Sequence, residues 1–299
     1  MDNNQQIIVQ TFAWRDYLEL CKPRVVAVML LTAIVGMCLA TPEFPPIDIV
    51  ISATLGIGLM ASGAAAVNHV MDRNIDAKMA RTHRRPLPQG KIDETRALIF
   101  ASMLSLSGVV VLIVWTNVLT AWLTLGALIG YAVIYTMVLK RATPLNIVIG
   151  GIAGAAPPLL GWVAVTGQIE PDSLLLVLII FAWTPPHFWA LCIHKKDDYA
   201  RAGVPMLPVT HGEEYTRLHI LLYTVLMVIT TLFPVMTGMS GVIYLIGVTV
   251  LNLRFIQWAV RVFRANDTAA PMAMFWFSVK YIMWLFVVLL VDHYVLGLN

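Results

Sequence analysis

The sequence predicts an all-α membrane protein, a single domain that crosses the bilayer nine times. Three observations predict it. Hydrophobic residues make up 59% of the chain and charged residues 12%, far below the quarter that is usual in a soluble domain. Nine apolar runs reach the roughly 18 residues or more that a helix needs to cross the hydrocarbon core. Lys and Arg fall in every second connection only, which is the charge asymmetry of a polytopic protein.

The runs lie at about 25–41, 48–71, 95–115, 118–139, 144–164, 173–194, 216–236, 240–262 and 273–296. Residues 1–24 precede them as a cytoplasmic segment; it opens Met-Asp-Asn-Asn-Gln-Gln, which lacks the basic start of a signal peptide. Within it Trp14 to Arg24 is amphipathic enough to lie on the membrane surface, and Pro23 begins the first span. Lys22 and Arg24 either anchor that flank or reach an anionic substrate. The second run carries Gly56, Gly58, Ser62, Gly63 and Ala64 to Ala66, small residues that let helices approach closely. Beyond it Pro86 and Pro88 stop any further helix, Gly90 turns the chain and Asp93 is placed to cap the third.

The fourth run ends with Tyr131 and Tyr135 on one face, followed by Lys140 and Arg141. These read either as an aromatic belt with its positive anchor or as a polar edge that neutralises a diphosphate. The fifth contains Gly150, Gly151, Gly154, Pro157, Pro158 and Gly161, which implies tight packing or an unwound stretch lining a cavity. The sixth supplies His187 and His194, two turns apart, then Lys195, Asp197 and Asp198. His187 is either a hydrogen-bonded core residue or a functional one. In the last runs Arg254 and Lys280 must snorkel, pair or face a polar cavity, and Lys280 is read as the cavity residue. Asp292, His293 and Tyr294 read as an interface anchor. Cys21, Cys38 and Cys192 have no metal spacing and read as packing residues.

Arg15, Lys22 and Arg24, the stretch from Arg73 to Arg96, Lys140 and Arg141, Lys195 to Arg217, and Arg261 with Arg264 occupy one side. The alternate connections, around 41–46, 116–119, 167–172 and 237–241, hold no Lys or Arg. The N-terminus is thereby expected in the cytoplasm and the C-terminus outside, in a bacterial inner membrane. The net charge of +3 is a topology signal; no basic stripe with interleaved aromatics points to nucleic acid.

Function is carried by the end of the second run, Asn68 to Pro88. Asn68, Asp72 and Asp76 recur every four residues, so on a helix they climb one face over roughly 12 Å. Two carboxylates and an amide so spaced can hold Mg²⁺, which takes few protein oxygens and fills its shell with water and substrate phosphates. Lys78, Arg81, Arg84 and Arg85 follow and complement phosphate oxygens; alternatively the two acids only pair with such cations. His194 and Asp198 repeat the four-residue interval at the same membrane face. Acid-bearing helix ends beside basic loops, over an apolar bundle, fit a substrate with a diphosphate head and a hydrocarbon tail, hence prenyl transfer. A transporter without catalysis is the rival from another class, although its charges would gather at the midplane.

Asn68-x-x-x-Asp72-x-x-x-Asp76 followed by Arg84-Arg-Pro-Leu-Pro resembles the first signature of the intramembrane aromatic prenyltransferase superfamily. Thr143-Pro-Leu-Asn, Gly154-Ala-Ala-Pro-Pro-Leu-x-Gly-Trp162, Trp183-Thr-Pro-Pro-His-Phe-Trp-Ala-Leu191 and Asp197-Asp-Tyr-x-x-Ala-Gly-Val-Pro-Met-Leu-Pro208 resemble its haem-farnesylating branch. The resemblance implies a nine-helix bundle around a central cavity opening near the cytoplasmic face, with farnesyl diphosphate and haem B as substrates and Mg²⁺ as cofactor. It implies that Asn68, Asp72 and Asp76 hold Mg²⁺-diphosphate, with Asp198 from the second signature, and that Arg73, Lys78, Arg84 and Arg85 are neighbours. The second signature of the superfamily has two acids four apart; here His194 takes the first position. His187 or His194 then contacts the haem iron or a propionate. A sister enzyme acting on a quinone precursor is the nearest alternative, and haem A synthase or terminal-oxidase assembly factors are the implied recipients of product.

Overall fold

The computed structural model describes residues 13–264 and 267–296; the first twelve residues of the cytoplasmic segment lie outside the described residues. A short helix α1 (Trp14–Leu20) meets α2 (Pro23–Leu39) at a bend of 51°. Pro23 occupies the first turn of α2, where its missing N–H costs nothing. The bend itself is made by Lys22, which adopts the left-handed conformation at φ 48°, a strained choice for a residue with a Cβ.

Helix α3 (Ile47–Met71) is followed at once by the single turn α4 (Arg73–Asp76). Asp72 lies between them, yet Asp72 N donates to Asn68 O at 2.9 Å and Asp76 N to Asp72 O at 2.8 Å. The helical spacing of the acid ladder therefore survives the boundary. Helix α5 (Glu94–Trp115) starts where the sequence predicts, with the Asp93 carboxylate accepting from Arg96 N at 2.8 Å. Next, α6 (Val118–Ile129) runs into a π-helix over Gly130–Leu139 and ends as α7 (Lys140–Ala142). The fifth span is broken into α8 (Asn146–Ala155) and α9 (Pro157–Thr166) where Pro157 and Pro158 enter. Then come α10 (Pro171–His194), the connecting turns α11 (Lys196–Arg201) and α12 (Leu207–Thr210), and three long helices, α13 (Gly212–Met236), α14 (Val242–Phe263) and α15 (Ala270–Leu296).

Eight of these spans are long and apolar enough to cross a membrane, and the bent pair α1–α2 makes a ninth. The all-α prediction holds with ends shifted by a few residues. Around the bundle α2 packs on α3, α9 and α15; α3 packs on α5; α10 packs on α8, α13 and α15; and α13, α14 and α15 pack in sequence.

Small residues set these distances. A Cβ on Gly161 would lie 1.9 Å from Ala33 O, and one on Gly36 2.1 Å from Pro158 O, so α2 and α9 touch backbone to backbone. Of the two readings of the glycine- and proline-rich fifth span, tight packing holds on this side. Near the C-terminus the expected interface anchor is a helix cap. Asp292 is buried and accepts from Gly241 N at 2.6 Å and Tyr244 N at 2.9 Å, closing the start of α14, while His293 Nε2 meets Thr41 O at 2.9 Å. Lys280 corrects another expectation. It is exposed on the outer surface of α15 and faces no internal cavity.

Because Gly161 has no room for any side chain, Gly161→Ala is expected to push α2 off α9 and destabilise the fold by about 1–3 kcal/mol. Thermal unfolding in detergent should show a lowered Tm; an unchanged Tm would contradict this packing.

Candidate active site

The ladder Asn68, Asp72 and Asp76 is buried, each residue at 2–3% exposure, although all three groups are polar and two carry charge. Carboxylates persist in such a place only with close partners, and each has one. Asp72 Oδ2 accepts from Lys140 Nζ at 2.6 Å and from Asn68 Nδ2 at 2.9 Å. Asp76 Oδ2 accepts from Arg85 Nη1 at 2.7 Å. Asn68 Nδ2 also donates to Thr136 Oγ1 at 3.1 Å, and its Oδ1 accepts from the Lys22 ammonium. Five separate segments thus close on one point: the α1–α2 bend, the end of α3, α4, the basic loop, and the π-helix with α7.

The π-helix explains how the fourth span takes part. Such stretches change which side chains share a face and often mark functional sites. Here Thr136 donates to Tyr131 O, five residues back, at 2.8 Å, and Tyr131 and Tyr135 stack with centroids 5.8 Å apart. Gly150 on α8 accommodates Tyr135, since a Cβ there would lie 2.2 Å from its ring. Arg141 donates to Met71 O at 2.7 Å and ties α7 to the end of α3.

The second constellation follows the end of α10. Asp198 is buried and paired with Arg201, while Asp197 and His194 are exposed and Lys195 is half-buried. Beside Asp198, burial pushes the Tyr199 phenol well above its usual value. Cys192, Asp198 and Asp72 act in the same direction and Arg81 against it, so this segment and the ladder feel one another's charge. His187 and His194 do not form a pair. Two turns of α10 separate them by roughly 10 Å; His194 is at the helix mouth, whereas His187 lies between Trp183 (4.2 Å) and Phe275 (4.6 Å). His187 Nδ1 meets Ser278 Oγ at 2.6 Å, which leaves Nε2 for another partner.

The remaining expected residues are less involved. Arg73 is exposed and bonded to Glu94 at 2.6 Å, and Lys78 and Arg84 are exposed on the loop. Three participants carry little signal in the sequence: Lys22 reads equally as a flank anchor, Thr136 as an ordinary span residue and Tyr199 as one position of a longer motif. The one sequence signal for Lys22 was its position before Pro23 at the start of a span.

Electrostatically the site holds more cation than its acids neutralise. Three cations, Lys22, Arg85 and Lys140, bond a ladder with only two carboxylates, Asp72 and Asp76, which leaves room for an added anion. Asp72 Oδ1 is buried without a hydrogen bond, as are both ring nitrogens of His69, and such orphaned atoms mark places for a missing polar partner. Among the described residues no three His, Cys, Asp or Glu side chains gather into a metal cage. The hard oxygens of Asn68, Asp72 and Asp76 suit instead an ion that keeps few protein ligands and takes the rest from a bound phosphate.

A membrane bundle with a buried acid ladder, rimmed by cations, defines an intramembrane prenyltransferase. The chain belongs to the UbiA prenyltransferase family, whose profile matches residues 29–288. Its relatives narrow the class. It is 60% identical over 285 residues to a protoheme IX farnesyltransferase of Marinobacter nauticus, covering 95% of this chain and 94% of that one. A protoheme IX farnesyltransferase of Saccharophagus degradans is 60% identical over 96% and 94% of the two chains. Among solved structures the fold matches a digeranylgeranylglyceryl phosphate synthase with TM-score 0.79 at 19% identity, over 94% of this chain and 98% of that one. It also matches a UbiA homolog from Archaeoglobus fulgidus bound to GPP and Mg²⁺, with TM-score 0.62 at 17% identity over 92% and 99%.

Gly150→Ala is expected to displace the Tyr135 ring and lower kcat/KM for prenyl transfer by about 10- to 100-fold, with little change in Tm. Lys22→Gly would relieve the strained φ while removing the ammonium. A raised KM for the prenyl diphosphate with an unchanged or higher Tm is the expected result, measured by steady-state kinetics and thermal unfolding.

Proposed function

We propose that the chain transfers the farnesyl group of farnesyl diphosphate to a vinyl group of haem B with addition of water, giving haem O and diphosphate. The carrying observation is the identity of about 60% over 95% of the chain to protoheme IX farnesyltransferases, set on a buried ladder that is short of an anion. In the reaction the allylic carbon–oxygen bond breaks with its electron pair going to the diphosphate. The vinyl π electrons then form the new carbon–carbon bond, and the cation left beside the macrocycle takes hydroxide from water, releasing a proton.

Asn68, Asp72 and Asp76 would hold Mg²⁺ with Asp198 facing them, and the bound ion neutralises the diphosphate as a leaving group. Lys22, Arg85 and Lys140, which hold Asn68, Asp76 and Asp72 in the resting site, would be the donors to the diphosphate oxygens. Arg73, Lys78, Arg84, Arg141 and Lys195 form an outer ring that draws the anion in. Tyr131 and Tyr135 offer π faces to the allylic cation and keep water from it. The free Nε2 of His187 faces haem, and His194 at the mouth serves a propionate.

The charge asymmetry supports an inner-membrane setting with the ladder on the cytoplasmic side, and product passing to haem A synthase or oxidase assembly factors. Mass spectrometry of haem extracted after incubation with haem B, farnesyl diphosphate and Mg²⁺ tests the reading. A farnesyl-plus-water mass gain is expected, reduced at least about 100-fold in Asp72→Ala. Farnesylation of a quinone precursor instead would overturn the acceptor. For the histidines, His187→Ala should weaken haem affinity; unchanged affinity in both His187→Ala and His194→Ala would remove haem contact from their roles.

A further inference from the structure

Two cations and two tryptophans sit on the outer surface of the bundle, away from the acid ladder. Lys280 on α15 and Arg254 on α14 are both exposed within spans. Lys280 has no hydrogen bond or ion pair among the described residues, and Arg254 bonds only the neutral Gln257, at 2.9 Å. An unpaired cation on a lipid-facing surface is costly and rarely without purpose.

The packing of α14 on α15 brings the two cations level. Phe255 meets Tyr281 with ring centroids 4.9 Å apart and Phe277 at 6.0 Å, and a Cβ on Gly247 would touch Val288. The same antiparallel register joins both contacts. Arg254 is nine residues before the end of α14 and Lys280 ten after the start of α15, so both lie roughly 13–15 Å in from the helix ends.

Side follows from the same contacts. Phe255 and Tyr281 point into the interface, and each cation is the residue just before one of them. Residues one step back along a right-handed helix turn by about 100°, and in an antiparallel pair the two turns carry both side chains to the same side. One turn nearer the basic end, Trp258 and Trp276 are level in the same way. Trp276 is 57% exposed, and Arg254 and Arg261 lie over the Trp258 ring at 5.4 and 4.8 Å. Trp284, 59% exposed, follows a turn deeper. The one described carboxylate on α14 or α15 is Asp292, buried in its cap, so this face has no anion of its own.

We infer that the Arg254–Lys280 face, with Trp258 and Trp276, is a lateral docking site where the bilayer-dissolved acceptor, a porphyrin dicarboxylate, first binds. This rests on the haem reading above. A flat apolar macrocycle carrying two carboxylates matches two cations at one level beside exposed indoles, and ion pairs are strong in a medium of low dielectric. An acidic phospholipid matches less well, since it brings no flat ring to lie against the indoles beside the two cations.

The test uses the full chain in nanodiscs of phosphatidylcholine. Equilibrium binding of haem B, read by tryptophan quenching, is compared with haem dimethyl ester, whose propionates are blocked, in the wild type, Arg254→Gln/Lys280→Gln and Lys280→Arg. Steady-state rates are measured against haem B and farnesyl diphosphate. The double variant should bind haem B about tenfold more weakly and raise its KM equally, with kcat and the KM for farnesyl diphosphate unchanged. The ester on the wild type should bind at least as weakly as haem B does on the double variant, since it also loses the propionate contact assigned to His194, and Lys280→Arg should match the wild type. Equal haem affinity in wild type and double variant overturns the inference, as does an ester that binds as well as haem B. A difference that arises only when phosphatidylglycerol is added makes the face a lipid site and also overturns it. If the wild type does not farnesylate haem, the function reading fails, and the binding comparison still decides the docking site by itself.

Discussion

Buried carboxylates at a membrane edge need counter-charges, and the arrangement of this bundle follows from supplying them to Asp72 and Asp76. Asp72 is held by Lys140 and Asn68, Asp76 by Arg85, and Asn68 in turn by Lys22 and Thr136. Those partners come from different parts of the chain, so the ladder also staples the N-terminal bend, the basic loop and the fourth span to the end of α3. Loss of Lys140 or Arg85 leaves its carboxylate with an uncompensated charge in a low-dielectric place.

The same pairs prepare the chemistry. An acid held by a lysine is already desolvated and fixed, and so is the lysine. Under the proposed function, a metal diphosphate would exchange partners within this set of pre-placed charges, leaving little reorganisation for the reaction. The strained φ of Lys22 belongs to this arrangement. A left-handed residue ahead of a proline is an expensive way to turn a chain, and it places the ammonium against Asn68.

Close helix contact gives the cradle its rigidity. Backbone contact at Gly36 and Gly161 locks α2 to α9, and the bend that carries Lys22 extends from α2. Gly150 lets α8 receive the Tyr135 ring. The glycines of the apolar spans therefore act on the site from a distance, by fixing where its polar groups stand.

The sequence by itself determined the spans, the cap at Asp93, the ladder and the gathering of the loop cations at one end of the bundle, because hydropathy, helical spacing and charge asymmetry are local properties. Only the tertiary structure decided which cations turn inward. Arg85 and Lys140 meet the acids, whereas Arg73 turns to Glu94 and Lys280 points outward. It also separated His187, stacked between two rings, from His194 at the surface. Spacing along a chain fixes an angle about its own helix axis but says nothing of the neighbour that angle meets. A π-helix in the fourth span shifts even that angle, which a period of 3.6 does not foresee.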